Sequence, residues 1–166
     1  FIMQKKHEST LVKVAHTLGV DEPLREYQIV TAGHINDTYR VKFGDVFYTI
    51  QRVNRYVFKN PKAIMSNIDL VIHHLRKKIR EDGGDPERET LRYLRDSERR
   101  NYVLPDGEDG DFWRMSIYID KCCTYNVVTD QKMLVSAGNG FGKFQRRLTD
   151  FPADKLFETI PNFHNT

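Results

Sequence analysis

Three short polar runs in this chain combine residue types and spacings that can do chemistry: Gly33-His34-Ile35-Asn36-Asp37-Thr38, Gln51-Arg52-Val53-Asn54, and Val57-Phe58-Lys59-Asn60-Pro61. A turn carrying a glycine lets backbone N–H groups approach an anion closely, and a basic or polar side chain on the following strand can complete the cradle. Short side chains such as His34, Asn36 and Asp37 can bond hydroxyls or amides, a neutral imidazole donating from one nitrogen and accepting at the other. A plain hairpin accounts for the same residues. A single Gly is ordinary in a turn, and Asn and Asp there commonly bond their own backbone.

The elements that must position these runs are readable as alternating and helical patterns. Leu11, Val14, Ala15 and Leu18 recur at helical spacing between Glu8 and Leu18, with Gly19 where a left-handed cap would fall. Glu26 to Ala32, Asp37 to Phe43 and Val46 to Val53 are rich in Tyr, Val, Ile, Phe and Thr and predict three strands. The first two meet around Gly33, and Gly44-Asp45, with Gly first, suits a type II′ hairpin between the others. The result is an antiparallel meander.

Asn60 as N-cap and Pro61 at the first helical position open a long helix whose Ile64, Ile68, Val71, Ile72, Leu75 and Ile79 form one face. Lys77, Lys78 and Arg80 crowd its last turns, and Gly83-Gly84 ends it. Glu89 to Arg95, Asn101 to Leu104 and Asp111 to Asp120 predict further strands, the last two joined across Pro105 to Gly110. A final helix from an Asp130 cap to Leu148 carries Met133, Leu134, Ala137, Phe141, Phe144 and Leu148 on one side. Its Gly138, Gly140 and Gly142 each cost about 1 kcal/mol relative to Ala, and close backbone packing or a break in the helix would explain them. The expectation is an α+β fold, a five- to six-stranded antiparallel sheet with a long flanking helix.

Gly-His-Ile-Asn-Asp-Thr before an aromatic residue, Gln-Arg-Val-Asn after a Tyr-rich strand, and Val-Phe-Lys-Asn-Pro at a helix start occur in the order found in the N-acetylhexosamine 1-kinases. The chain thus resembles the amino-terminal lobe of that branch of the aminoglycoside phosphotransferase and choline kinase superfamily. The resemblance implies a protein-kinase-like nucleotide-binding lobe over residues 1–120, with the hinge and first helix of a second lobe over 121–166. It places Gly33, His34, Ile35, Asn36 and Thr38 over the ATP phosphates, and His34, Asn36 and Asp37 toward a sugar. Tyr118, Ile119 and Asp120 would hold the adenine edge through backbone groups.

The wider superfamily has a lysine on the third strand. Here Gln51-Arg52 stands in its place, and alternation lets only one of the two face a cleft. Gln51 at the lysine's position with Arg52 paired to acids is the favoured arrangement, with the reverse left open. The following helix offers Asp69 and no Glu along the stretch where an ion-pair partner is expected.

The implied ligands are ATP, Mg2+ and a small sugar, and the implied reaction is phosphoryl transfer to a sugar hydroxyl. A His-Gly-Asp loop and an Asp-containing magnesium motif do not occur in the sequence. No catalytic or metal-binding residue is therefore assigned, and the chain by itself is expected to be an inactive part of a longer protein. His164 reads as a linker residue, and a lobe without its partner could self-associate through the exposed interface. Choline, homoserine and aminoglycoside kinases remain the nearest enzymatic alternatives.

Totals bound these readings. With 166 residues there is room for one domain and an appended element. Lys plus Arg total 26 against 23 Asp plus Glu, a surplus of 3 that argues for a solvated mixed surface rather than a nucleic-acid partner. The competing class is a nonenzymatic module using Arg76, Lys77, Lys78, Arg80, Arg99 and Arg100. Adjacent Cys122 and Cys123 read as reduced thiols, which fits a cytoplasmic protein, and no apolar run reaches the roughly 20 residues of a membrane span.

Overall fold

Alternation along three successive strands begins the fold. The computed structural model describes residues 2–31, 33, 35–125 and 127–161. It contains α1 Ile2–Thr17, β1 Leu24–Val30, β2 Asp37–Phe43, β3 Val46–Val53, α2 Pro61–Glu81, α3 Pro86–Glu89, β4 Phe112–Ile117 and α4 Gln131–Arg147, with a 3-10 turn at Ala153–Lys155. The four strands form one antiparallel sheet in the order β1-β2-β3-β4. The protein is therefore α+β.

Contacts divide the chain into two compact units. The first comprises Phe1–Ser66, Arg92–Tyr118 and Phe157–Thr166, and the second Asn67–Leu91 and Ile119–Leu156.

In the first unit, Tyr39, Val41 and Phe43 on β2, Tyr48 and Ile50 on β3, and Trp113 and Met115 on β4 turn to one face of the sheet. They pack there with Leu11, Val14, Ala15 and Leu18 of α1. Each large apolar side chain so buried contributes roughly 1.5–3 kcal/mol. α1 begins at Ile2, earlier than its apolar spacing announces. Its end follows the sequence signal: Val20 N donates to Ala15 O and Gly19 N to His16 O, with Gly19 at φ 79. That is the paired bonding of a glycine-capped helix end.

Two of the six expected strands are not strands. The outer edge of β4 is shared, with Tyr93 bridging Ser116 at one end and Val103 bridging Trp113 at the other. Between them the chain folds back through Asp96, whose N donates to Arg100 O, and through Arg99 at φ 67. A six-residue edge cannot seat two full strands end to end, so each segment closes a single bridge. β4 also stops at Ile117, short of Asp120, and Pro86–Glu89 forms a helical turn where a strand was expected to start.

The second unit holds the rest of α2, α3 and α4. Asp130 caps α4, accepting from Lys132 N at 2.9 Å. The helix runs unbroken through its glycines, and a methyl group at Gly138, Gly140 or Gly142 would meet nothing within 4 Å. Close packing therefore does not explain them. Leu134, Phe141 and Phe144 are exposed, and the one buried residue of α4 is Arg147. Arg147 bonds Asp82 at 2.9 Å and Glu89 at 2.8 Å, and Arg146 bonds Asp82 at 2.6 Å. These guanidinium hydrogen bonds pull the Asp82 carboxyl down to about 2. Among the described residues no helix is long and apolar enough to cross a membrane.

Candidate functional site

The β2–β3 turn sets the site's register. Pairing Phe43 with Val46 puts Thr38 opposite Gln51, Arg40 opposite Thr49 and Lys42 opposite Phe47. By the two-residue period these side chains leave the sheet on the face away from the α1 core. Pairing of β3 with β4 then sets Arg114 opposite Gln51 on the same face.

A hydrogen-bonded row crosses the three strands there. Gln51 Nε2 donates to Thr38 Oγ1 at 3.0 Å, and Arg114 Nε donates to Gln51 Oε1 at 3.0 Å. A guanidinium has no acceptor, so the amide oxygen must face Arg114 and the amide nitrogen Thr38. Arg114 Nη1 also approaches Met65 Sδ at 3.7 Å, and its guanidinium carbon lies 5.5 Å from the Tyr93 ring centre.

Beside this row, the Arg40 guanidinium carbon lies 4.0 Å from the ring centre of Phe47 and 5.1 Å from that of Tyr118. The Tyr118 backbone N–H donates to Phe47 O at 3.2 Å, fixing the aromatic pair. Arg40 Nε is buried without an acceptor among the described residues. An unsatisfied buried donor costs about 1–3 kcal/mol and each ring face returns about 0.5–2 kcal/mol, so the two rings offset much of the cost without supplying an acceptor.

The opposite face has different chemistry. Arg52 Nε donates to Asp37 Oδ2 at 2.7 Å, its Nη2 also bonds Asp37, and Nη1 pairs with Asp111 at 3.3 Å. The Asp37 hydrogen bond raises the Arg52 pKa further above its ordinary value. A cleft of about 520 Å3 opens here, lined by Asp37, Asp106, Asp109 and Asp111 with Arg52 and Arg55. Four carboxylates outweigh two guanidinium groups, which disfavours a polyphosphate on this side.

The expected site residues are therefore dispersed. Thr38 and Gln51 meet on the polar face, whereas Asp37 and Arg52 meet on the other. Asn36 Oδ1 accepts from Asn54 N at 2.9 Å, tying the loop to the end of β3, and Ile35 is exposed. Gly33 has open space around it and no positive φ. Tyr118 stands beside Arg40, while Ile119 and Asp120 belong to the second unit, where Asp120 pairs with Arg88 at 3.0 Å. His34 and His164 lie outside the described residues. Among the described residues no three His, Cys, Asp or Glu side chains gather as a metal-binding group.

Sequence reasoning passed over Arg40, Phe47 and Arg114. Parity counted back from the Gly44 turn would have placed Arg40 and Phe47 on the Gln51 face. No comparable local signal exists for Arg114, whose position depends on a pairing across 63 residues.

No family model matches the chain. Among solved structures it is similar to a crystal structure of spectinomycin phosphotransferase in complex with ADP and spectinomycin, at a TM-score of 0.48 and 12% sequence identity. The match covers 89% of this chain and 37% of that one, so the chain spans little more than a third of that protein's length.

Proposed function

We propose that the first unit is the ATP-binding lobe of a small-molecule phosphotransferase. The observation that carries this reading is the half-buried polar face, where the Thr38–Gln51–Arg114 row and the Arg40–Phe47–Tyr118 stack adjoin. No carboxylate lies within ion-pair distance of Arg40 or Arg114 among the described residues. A cationic, hydrogen-bonding floor beside two aromatic rings suits a ligand that joins a polyphosphate to a flat base. Chemically, these residues bind and orient; transfer would need groups beyond those assigned.

Within this reading the acceptor is a sugar hydroxyl, as the Gly33 to Thr38 resemblance implies, and Asn36 and Asp37 are the described candidates to meet it. Asp37 would have to release Arg52 first. Mg2+ would travel with the ATP and needs ligands other than a cluster among the described residues. The basic-module reading is not favoured, because Arg76 pairs with Glu87, Lys78 with Asp150 and Arg100 with Asp96.

The test is competition binding with a fluorescent ATP analogue on the full 166-residue chain. Saturable binding displaced by unlabelled ATP and ADP is expected. Absence of saturable binding at millimolar nucleotide would refute the reading.

A further inference from the structure

A half-buried cation stands one strand away from the position where one was expected. Gln51 stands on β3 where a lysine was expected, and its neighbour Arg52 leaves the other face, locked to Asp37 and Asp111. Arg114 is different. It is half-buried, it lies directly across from Gln51, and its Nε–H is held by the Gln51 carbonyl at 3.0 Å. Among the described residues Nη1 has only the weak Met65 sulfur as an acceptor. Nη2 has no acceptor among the described residues and is not sealed from solvent.

The surroundings leave its charge uncompensated. Tyr93, whose phenol is pushed up by burial, offers the guanidinium a ring face and remains neutral. Gln51 contributes a carbonyl dipole, which orients the guanidinium without cancelling it. Thr38 holds the Gln51 amide from the other side at 3.0 Å, so the orientation of Arg114 is set by a row that begins at the Gly33 to Thr38 loop. A planar guanidinium held at Nε presents its remaining N–H edge, the geometry that meets phosphate oxygens in pairs.

We propose that Arg114 on β4 is the phosphate-binding cation of the nucleotide site, with Gln51 its positioning residue, so that the charge expected from a β3 side chain is delivered from the adjacent strand. The assignment rests on the ATP-binding reading above. It makes a phosphate-specific claim that the reading by itself does not.

The experiment measures binding of ATP, ADP and adenosine to the full chain and to Arg114→Gln, Arg114→Lys and Gln51→Ala, with circular dichroism and thermal melting on each variant. Arg114→Gln should weaken ATP binding by about tenfold to a hundredfold, the loss of one charged hydrogen-bonding partner, and leave adenosine binding unchanged. Arg114→Lys should recover part of the loss. Gln51→Ala, which keeps the charge and removes its support, should weaken ATP less than Arg114→Gln and again spare adenosine. If Arg114→Gln does not fold, the lysine and Gln51 variants decide the matter: ATP affinity unchanged in both overturns the proposal. Wild-type ATP affinity in a folded Arg114→Gln also overturns it and leaves the nucleotide reading standing. Failure of the wild-type chain to bind any of the three ligands overturns both.

Discussion

Replacing Gly138, Gly140 and Gly142 together by alanine should stabilise α4. All three lie inside Gln131–Arg147 at helical backbone angles, and a methyl group at each would meet nothing within 4 Å. Nothing in the folded state opposes the substitution, so the gain is the reduced conformational freedom of the unfolded chain and better shielding of the helix backbone, about 1 kcal/mol per site. Position 140 faces neither of the others, and the uncharged methyl groups at 138 and 142, four apart on one face, add no repulsion, so the three gains should add to roughly 2–3 kcal/mol. A helix of 17 residues with three interior glycines has little stability of its own, and the second unit should show the change most clearly. Urea denaturation followed by circular dichroism at a helix wavelength measures it, with a midpoint shift at constant slope as the expected outcome. An unchanged or lowered midpoint would refute the reasoning, because it would mean that another surface presses on the glycine positions.

Two further predictions concern single residues. The Asp82 carboxyl, held near 2 by hydrogen bonds from Arg146 and Arg147, stabilises the second unit fully above the ordinary carboxylate value of 3.8. That contribution is lost as pH falls through about 2, so wild type should lose stability between these values while Asp82→Asn, weaker at neutral pH, loses less there; parallel acid titrations of unfolding would refute the pairing. Gly44→Ala should cost about 1–2 kcal/mol, since φ is 55 and a methyl group would come 3.1 Å from Glu22 Cγ; equal urea midpoints would show that the turn is not built this way.

What could be read from the sequence was local. The β2–β3 hairpin needs only its two-residue turn and period-two alternation. α2 needs Asn60, whose side chain accepts from Ala63 N at 3.1 Å, and α4 needs Asp130. What could not be read was the outer edge of β4, where residues near 93 and 103 compete for one six-residue strand, because neither segment's composition announces the other. The site divides along the same line. That Gln51 and Arg52 face opposite ways follows from alternation, and the Asp37–Arg52 pair follows from counting back from Gly44. Arg114 follows from neither.

Charge is sorted across the sheet, and this sorting gives the polar face its meaning. Arg52 emerges on the α1 side and meets two carboxylates that cancel it. Arg40 and Arg114 emerge on the other side, partly desolvated, and meet rings, a threonine–glutamine row and a thioether instead. Removing a cation from water without a counter-charge is costly, and among the described residues two aspartates reach Arg52 and no carboxylate lies within ion-pair distance of these arginines. On the proposed nucleotide reading, uncompensated charge on a half-buried, hydrogen-bonded floor would be stabilised by an arriving anion, and the outward N–H edge of Arg114, rather than the sealed Arg40 Nε, is where that anion would be met.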